Sequence, residues 1–324
     1  MKRRHFIERA LQSGTALSLL GLYACKASEK EKKQLVDPLN HSENNLFFKI
    51  SLAQWSLHRA FKSGKESPLN FAALSRGFGC EGLEYVSQFF QDKAQDKNYL
   101  TGLNTRAQAE GQQNVLIMID DEGSLADARQ KSRLQAVENH YKWVEAAHFL
   151  GCHAIRVNLA GGTDKAEAVK AGVDSLNRLS DFAKDSNVSI LVENHGGFSS
   201  DGQWMTEVFS QISRENCGTL PDFGNFCLTE NYGSINSDGC DKAYDVYQGM
   251  RELMPYAKAV SAKSYDFDEN GNHIKTDYRK ILKIVKEAGY RGFIGIEYEG
   301  NKAPEEKGIE LTRNLLLKIG KELS

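Results

Sequence analysis

The chain has 324 residues, 40% hydrophobic and 26% charged, with a formal net charge of -2 and a pI near 6.5. That length and balance suit one α/β barrel domain with a sizeable core. Near-neutral charge without a basic stripe argues against nucleic acid as a partner, because phosphate binding draws on clustered Lys and Arg.

Residues 1–25 read as an export signal rather than as part of the fold. Lys2-Arg3-Arg4 opens a charged stretch, and an apolar, small-residue run over 10–24 follows that is short for a bilayer span. The arginine pair resembles a bacterial twin-arginine signal, and Leu22-Tyr23-Ala24-Cys25 is similar to a lipoprotein cleavage box with Cys25 as the lipidated residue. The expected location is therefore periplasmic or membrane-anchored, with a soluble exported form and an uncleaved anchor as the other readings. Residues 26–45, with Glu29-Lys30-Glu31-Lys32-Lys33, bury too little apolar surface to fold and read as a tether. The domain is expected over 46–324.

From there strand-like and helix-like segments alternate. Strands are predicted over 49–56, 80–86, 114–120, 154–159, 188–193, 217–222, 259–266 and 292–297. Helices are predicted over 68–78, 96–110, 125–150, 165–185, 204–215, 241–256, 278–288 and 305–323, with a turn at 269–271. Gly79, Gly151 and Gly289 recur at helix-to-strand joints as the same short stop. Eight such units close most economically as a single-domain (β/α)8 barrel, because right-handed crossovers bring every strand C-terminus to one face. An open doubly wound sheet is the runner-up, but no GxGxxG follows the first strand. Beyond Cys25, Cys80, Cys152, Cys217, Cys227 and Cys240 make a poor disulfide framework and hold no CxxC, and Cys80, Cys152 and Cys217, each just before a strand-like run, are expected as buried packing residues.

The strand exits carry the chemistry. In NVSILVENHGGF, Glu193 and His195 alternate to one side and Gly196-Gly197 turn the chain away. A barrel brings these residues to the same mouth as Glu84, Asp222, Asn225, Lys263 and Glu297. Several carboxylates cannot crowd together ionised without a positive partner, so either a divalent cation or a buried Lys is implied. Trp55 and His58 are candidates for the rim of that mouth, as are Tyr85, Phe223 and Tyr298, although aromatic residues at strand ends are as often core. Arg156 and Asn158 share one face of their strand and are placed to reach hydroxyls.

Glu193 in VEN, Asp222 in PDFGN and Glu297 in GIEYEG resemble the sugar phosphate isomerase and epimerase families of xylose-isomerase-like barrels, a likeness that covers the whole domain. The resemblance implies a divalent metal (Mn, Co, Zn or Mg) held by a Glu, an Asp, a His and a Glu, with the two Glu also acting as acid and base. Glu193, Asp222 and Glu297 match that pattern. The strand-seven His-x-Lys motif aligns with Ser261-Ala262-Lys263, so the Lys is kept and the His is replaced. Either His195 supplies the imidazole or the site is metal-free and Lys263 supplies the charge.

The expected activity is a sugar isomerase or epimerase working through an enediolate. A lyase or hydrolase acting on a keto-sugar or glycoside in the same pocket is the second reading, and a carbohydrate-binding lipoprotein without turnover is the third. An endonuclease, which shares the superfamily, is disfavoured by the neutral charge, the export signal and the missing His.

Overall fold

The computed structural model describes residues 46–324. The export signal and tether expected over 1–45 lie outside the described residues. Eight parallel strands form the wall: β1 (Lys49–Ala53), β2 (Gly82–Val86), β3 (Gln113–Met118), β4 (Ala154–Asn158), β5 (Ser189–Glu193), β6 (Cys217–Leu220), β7 (Val260–Ser264) and β8 (Phe293–Tyr298). They are ordered β6-β5-β4-β3-β2-β1-β8-β7. The ring closes between β6 and β7 through the single bridges Thr219 to Ala257 and Asp222 to Ser261 rather than a continuous ladder. The doubly wound alternative is thereby excluded.

The helices are α1 (His58–Lys62), α2 (Phe71–Gly77), α3 (Lys97–Ala109), α4 (Gln130–Leu150), α5 (Lys165–Ala183), α6 (Gly202–Phe209), α7 (Val246–Leu253), α8 (Tyr278–Glu287) and α9 (Glu305–Leu323). Aspartate sets many of their starts. The side chains of Asp96, Asp164, Asp201, Asp245 and Asp277 accept backbone N–H groups in the first turns of α3, α5, α6, α7 and α8. Gly79, Gly151 and Gly289 sit at φ 72°, 74° and 79°, the left-handed stops expected of them.

Four helices are several residues shorter than predicted, and ahead of α2 residues 68–70 form a 3₁₀ turn instead. Asp127 accepts the N–H of Arg129 at 2.8 Å, an Asx turn that keeps residues 125–129 out of α4. At the end of α6, Gln211 and Ile212 bond to carbonyls only three residues back, which winds the helix down before 215. Residues 227–243 fold back on themselves instead of starting α7, with Cys227 bridged antiparallel to Ala243.

That same fold-back corrects the cysteine reading, because Cys227 and Cys240 form a disulfide across it. An odd cysteine count conceals a pair when the partners sit at the two ends of one loop. Cys80, Cys152 and Cys217 are buried, as packing residues should be.

His273 is buried in the β7–α8 connection. Its Nε2 accepts the N–H of Tyr265 at 3.0 Å, and its Nδ1 lies 2.8 Å from Thr276 Oγ1 and accepts the backbone N–H of Thr276 at 3.2 Å. Burial lowers its pKa to about 4. An unfolded His takes up its proton near pH 6.5, so this stabilisation is complete above 6.5 and is lost as pH falls toward 4. We predict that His273→Gln is less stable than wild type at pH 7. Urea unfolding should show the gap narrowing by roughly 2–3 kcal/mol between pH 7 and pH 4, and a constant gap would contradict this account.

Candidate active site

The exits of β4 to β8 build a cluster of buried charge. Glu193, Asp222, Lys263 and Glu297 are nearly inaccessible, and Arg156 is 4% exposed. One carboxylate oxygen from each of Glu193, Asp222 and Glu297 lies within 4.8 Å of the others. Arg156 Nε stands 2.8 Å from Glu193 Oε2, while its NH1 reaches Asp120 Oδ1 at 2.9 Å. Lys263 Nζ donates to Glu297 Oε1 at 2.9 Å and lies 3.4 Å from Glu299. Asn225 donates to Glu193 Oε1 at 3.1 Å. Glu193 and Glu297 are thus each tied to a buried cation.

Ser261 fills the gap between Asp222 and Glu297, with Oγ 2.6 Å from Asp222 Oδ2 and 2.9 Å from Glu297 Oε2. A hydroxyl has one proton and can donate to only one of them. The second contact therefore needs a proton on a carboxyl. Desolvation, with repulsion from Glu297, pushes Asp222 up to about 7, so Asp222 is the group able to hold it.

The other groups separate by environment. Desolvation raises the Glu193 pKa against the pull of Arg156. Desolvation also acts on Glu297, but Lys263 outweighs it and keeps that carboxyl ionised. Burial disfavours the Lys263 ammonium, yet Glu297, Glu299 and Asp222 hold it charged. Desolvation, then Arg156 and Lys263, lowers His195 to about 3, so its imidazole is neutral.

Asn194, on the opposite face of its strand from Glu193, staples the neighbouring exit. Its Oδ1 accepts the N–H of Asp222 at 2.7 Å, and its amide donates to the carbonyls of Asp222 and Asn225. Gly196 matters for a different reason. A Cβ there would stand 1.9 Å from the carbonyl oxygen of Asn231, so glycine lets the disulfide-closed loop dock on the β5 exit.

Above the cluster opens a cavity of about 510 Å³. Its wall includes Trp55, Arg156, Asn158, His195 and Asn225 among the residues expected at the mouth. Trp55 donates its indole N–H to Glu299 Oε1 at 2.5 Å, and the Lys62 ammonium lies 4.2 Å from its ring centroid. Arg156 and Asn158 both face Asp120, Asn158 at 2.8 Å, so their first partner is a carboxylate of the protein.

Four of the expected polar residues do not line this cavity: Glu193 and Asp222, which are fully buried, and His58 and Glu84. His58 stacks on Trp55 with ring centroids 4.8 Å apart and supports it from behind. Glu84 is buried beside Ser51, whose hydroxyl donates to Oε1 at 2.5 Å, and a Cβ on Gly295 would stand 2.3 Å from its carboxylate. Desolvation pushes Glu84 up to about 8. Tyr85, Phe223 and Tyr298 are core. His195 reaches the mouth, but the converging metal-type group is Glu193, Asp222 and Glu297 without it. Sequence reasoning overlooked Asp120, Tyr232 and Glu299, which also line the cavity. Glu299 was the one with a signal, two residues beyond Glu297 and on the same side of its strand.

The three carboxylates fit a divalent cation. Bonds of about 2.0–2.6 Å place ligand oxygens within about 5 Å of one another, which the cluster satisfies. Glu193 Oε2 is also buried without an aligned hydrogen bond. All three are hard oxygen donors, as Mg²⁺ or Mn²⁺ prefers.

The pattern of the xylose isomerase-like TIM barrel family matches residues 72–318, and the chain belongs to that family. Among solved structures, it is similar in fold to 3-keto-D-glucoside 4-epimerase from E. coli, with a TM-score of 0.62 and 12% identity over 84% of this chain and 99% of that one. A xylose isomerase-like barrel protein from Mycobacterium smegmatis in complex with magnesium gives a TM-score of 0.62 and 14% identity over 85% and 97%. A 50-residue stretch is 42% identical to a C-glycoside deglycosidase alpha subunit from Arthrobacter globiformis, covering 15% of this chain and 14% of that protein.

Removing Lys263 should leave Glu297 buried and uncompensated. We predict that Lys263→Met costs about 3–5 kcal/mol, and that adding Glu297→Gln recovers a large part of it. Chemical denaturation of both variants checks this; an equal loss in single and double variants would mean the pair is not coupled.

Proposed function

We propose that the chain is a sugar isomerase or epimerase, an enzyme that moves a proton next to a carbonyl. The observation that carries this reading is the trio of buried carboxylates with Arg156 and Lys263 beneath a 510 Å³ cavity. The solved structure of similar fold that acts on a keto-glucoside supports the substrate class.

In this reading one of Glu193 and Glu297 takes the C–H proton, and the bonding pair moves to the carbonyl oxygen to give an enediolate. The other carboxyl returns a proton to the opposite face or to the neighbouring carbon, so the reaction is redox-neutral. Arg156 and Lys263 place fixed positive charge beside the two acids, and Asn225 orients Glu193. A divalent cation held by Glu193, Asp222 and Glu297 would polarise the carbonyl and stabilise the oxyanion. Trp55 offers its ring to the sugar's apolar face, held in place by Glu299. Export through the twin-arginine segment and a lipid tether at Cys25 belong to the same proposal, placing the enzyme beside free sugars and glycosides.

A second reading has one observation in its favour, the local match to a C-glycoside deglycosidase. The same enediolate can expel a β-substituent, which would make the enzyme a lyase.

In D₂O, epimerisation of a keto-glucoside should leave one deuterium in recovered sugar. Glu193→Gln and Glu297→Gln should each reduce this about 10²–10⁴-fold in kcat with little change in KM. Release of the aglycone in place of an epimer selects the lyase, and no exchange at any carbon would refute both. Protein purified without chelator should carry about one divalent metal per chain, lost in Glu193→Gln; a metal-free wild type would leave Lys263 as the cation beside the oxyanion.

A further inference from the structure

A second cavity of about 220 Å³ adjoins the first, and His195 and Glu230 line both. It runs between the glycine turns after β4 and β5, along Gly161-Gly162 and Gly196-Gly197, with Leu159, Phe198 and Leu228 as apolar wall. Its two long edges are backbone. At Gly197 a Cβ would meet nothing within 4 Å, so that edge stands open.

The groove is lined about equally by polar and apolar surface, and several of its polar side chains already have partners within the loop. The Glu230 carboxylate faces the N–H groups of Tyr232 and Ser234 at 2.8 and 3.2 Å. Thr229 Oγ1 lies 3.2 Å from the carbonyl of Gly239 and accepts the N–H of Asp241 at 3.0 Å. Asn231 offers one side-chain amide. At the junction with the main cavity, the His195 and Tyr232 rings are 5.7 Å apart, and Tyr232 is 66% exposed. The Leu159, Phe198 and Leu228 wall, the aromatic edges at the junction and the occupied Thr229 and Glu230 side chains suit a planar, uncharged ring. About 150 Å³ is enough to hold benzene.

We propose that this groove is an aglycone subsite, and that the substrate is a glycoside carrying an aromatic ring rather than a free monosaccharide. The sugar would lie over the carboxylates, and its substituent would pass His195 into the groove. The inference rests on the carbohydrate reading of the main cavity.

The test measures binding by calorimetry to the Glu193→Gln protein, in which turnover is suppressed. The probes are the methyl and phenyl glycosides of 3-keto-D-glucose and the 3-keto derivative of cellobiose. The phenyl glycoside should bind about tenfold tighter than the methyl. Two further changes probe the groove: Gly197→Asn, which tolerates the left-handed backbone and adds bulk, and Leu228→Ser, which strips an apolar wall. Each should erase most of the phenyl preference, with methyl glycoside affinity unchanged in Gly197→Asn. Equal methyl and phenyl affinity, a preference that survives both changes, or tighter binding of the cellobiose derivative would overturn the aromatic subsite and leave the proposed function standing. Failure of all three probes to bind either the Glu193→Gln protein or the wild type would overturn both.

Discussion

Buried charge is the constraint on which this site depends. Glu84, Glu193, Asp222 and Glu297 lie inside the protein near two buried cations, Arg156 and Lys263. Charges removed from water must be paired or neutralised, and the chain does both. Arg156 stands beside Glu193 and Lys263 bonds to Glu297, while Glu84 and Asp222 are pushed toward their neutral forms. Glu193 and Glu297, one raised and one lowered in proton affinity, therefore stand in one cluster, the separation that distinguishes an acid from a base.

Ser261 shows how the cluster remains satisfied where the family resemblance places an imidazole. Its hydroxyl spans Asp222 and Glu297 and also marks where the ring closes, since the bridge between the exits of β6 and β7 is the pairing of Asp222 with Ser261. Barrel closure and the chemistry of the acids meet at one residue. The converging ligand-type atoms are carboxylate oxygens, a donor set of the kind hard cations favour.

The wall of the mouth is built by close backbone contact. Gly196 admits the loop that carries Glu230 and Tyr232, Asn194 fixes the exit of β6 to that of β5, and the Cys227–Cys240 disulfide closes the loop on itself. A rigid wall of this kind fixes the shape of the opening before a substrate arrives.

The residue pattern alone determined the barrel and its acid-tipped strands. Apolar runs ending in Glu193, Asp222 and Glu297 and the glycine stops at 79, 151 and 289 are local signals that survive without a partner. Period-two alternation likewise placed Glu193 with His195. The partners across the barrel were not legible: that Arg156 meets Glu193 and Asp120, that Ser261 serves two carboxyls, and that Glu84 is enclosed below the mouth beside Ser51 and Gly295. Nor was the disulfide, because its cysteines meet only after a 13-residue segment folds back. Those contacts depend on strand order, register and loop closure, which join residues far apart in the chain. Local periodicity carries no record of them, and only the tertiary structure decides which buried charge faces which.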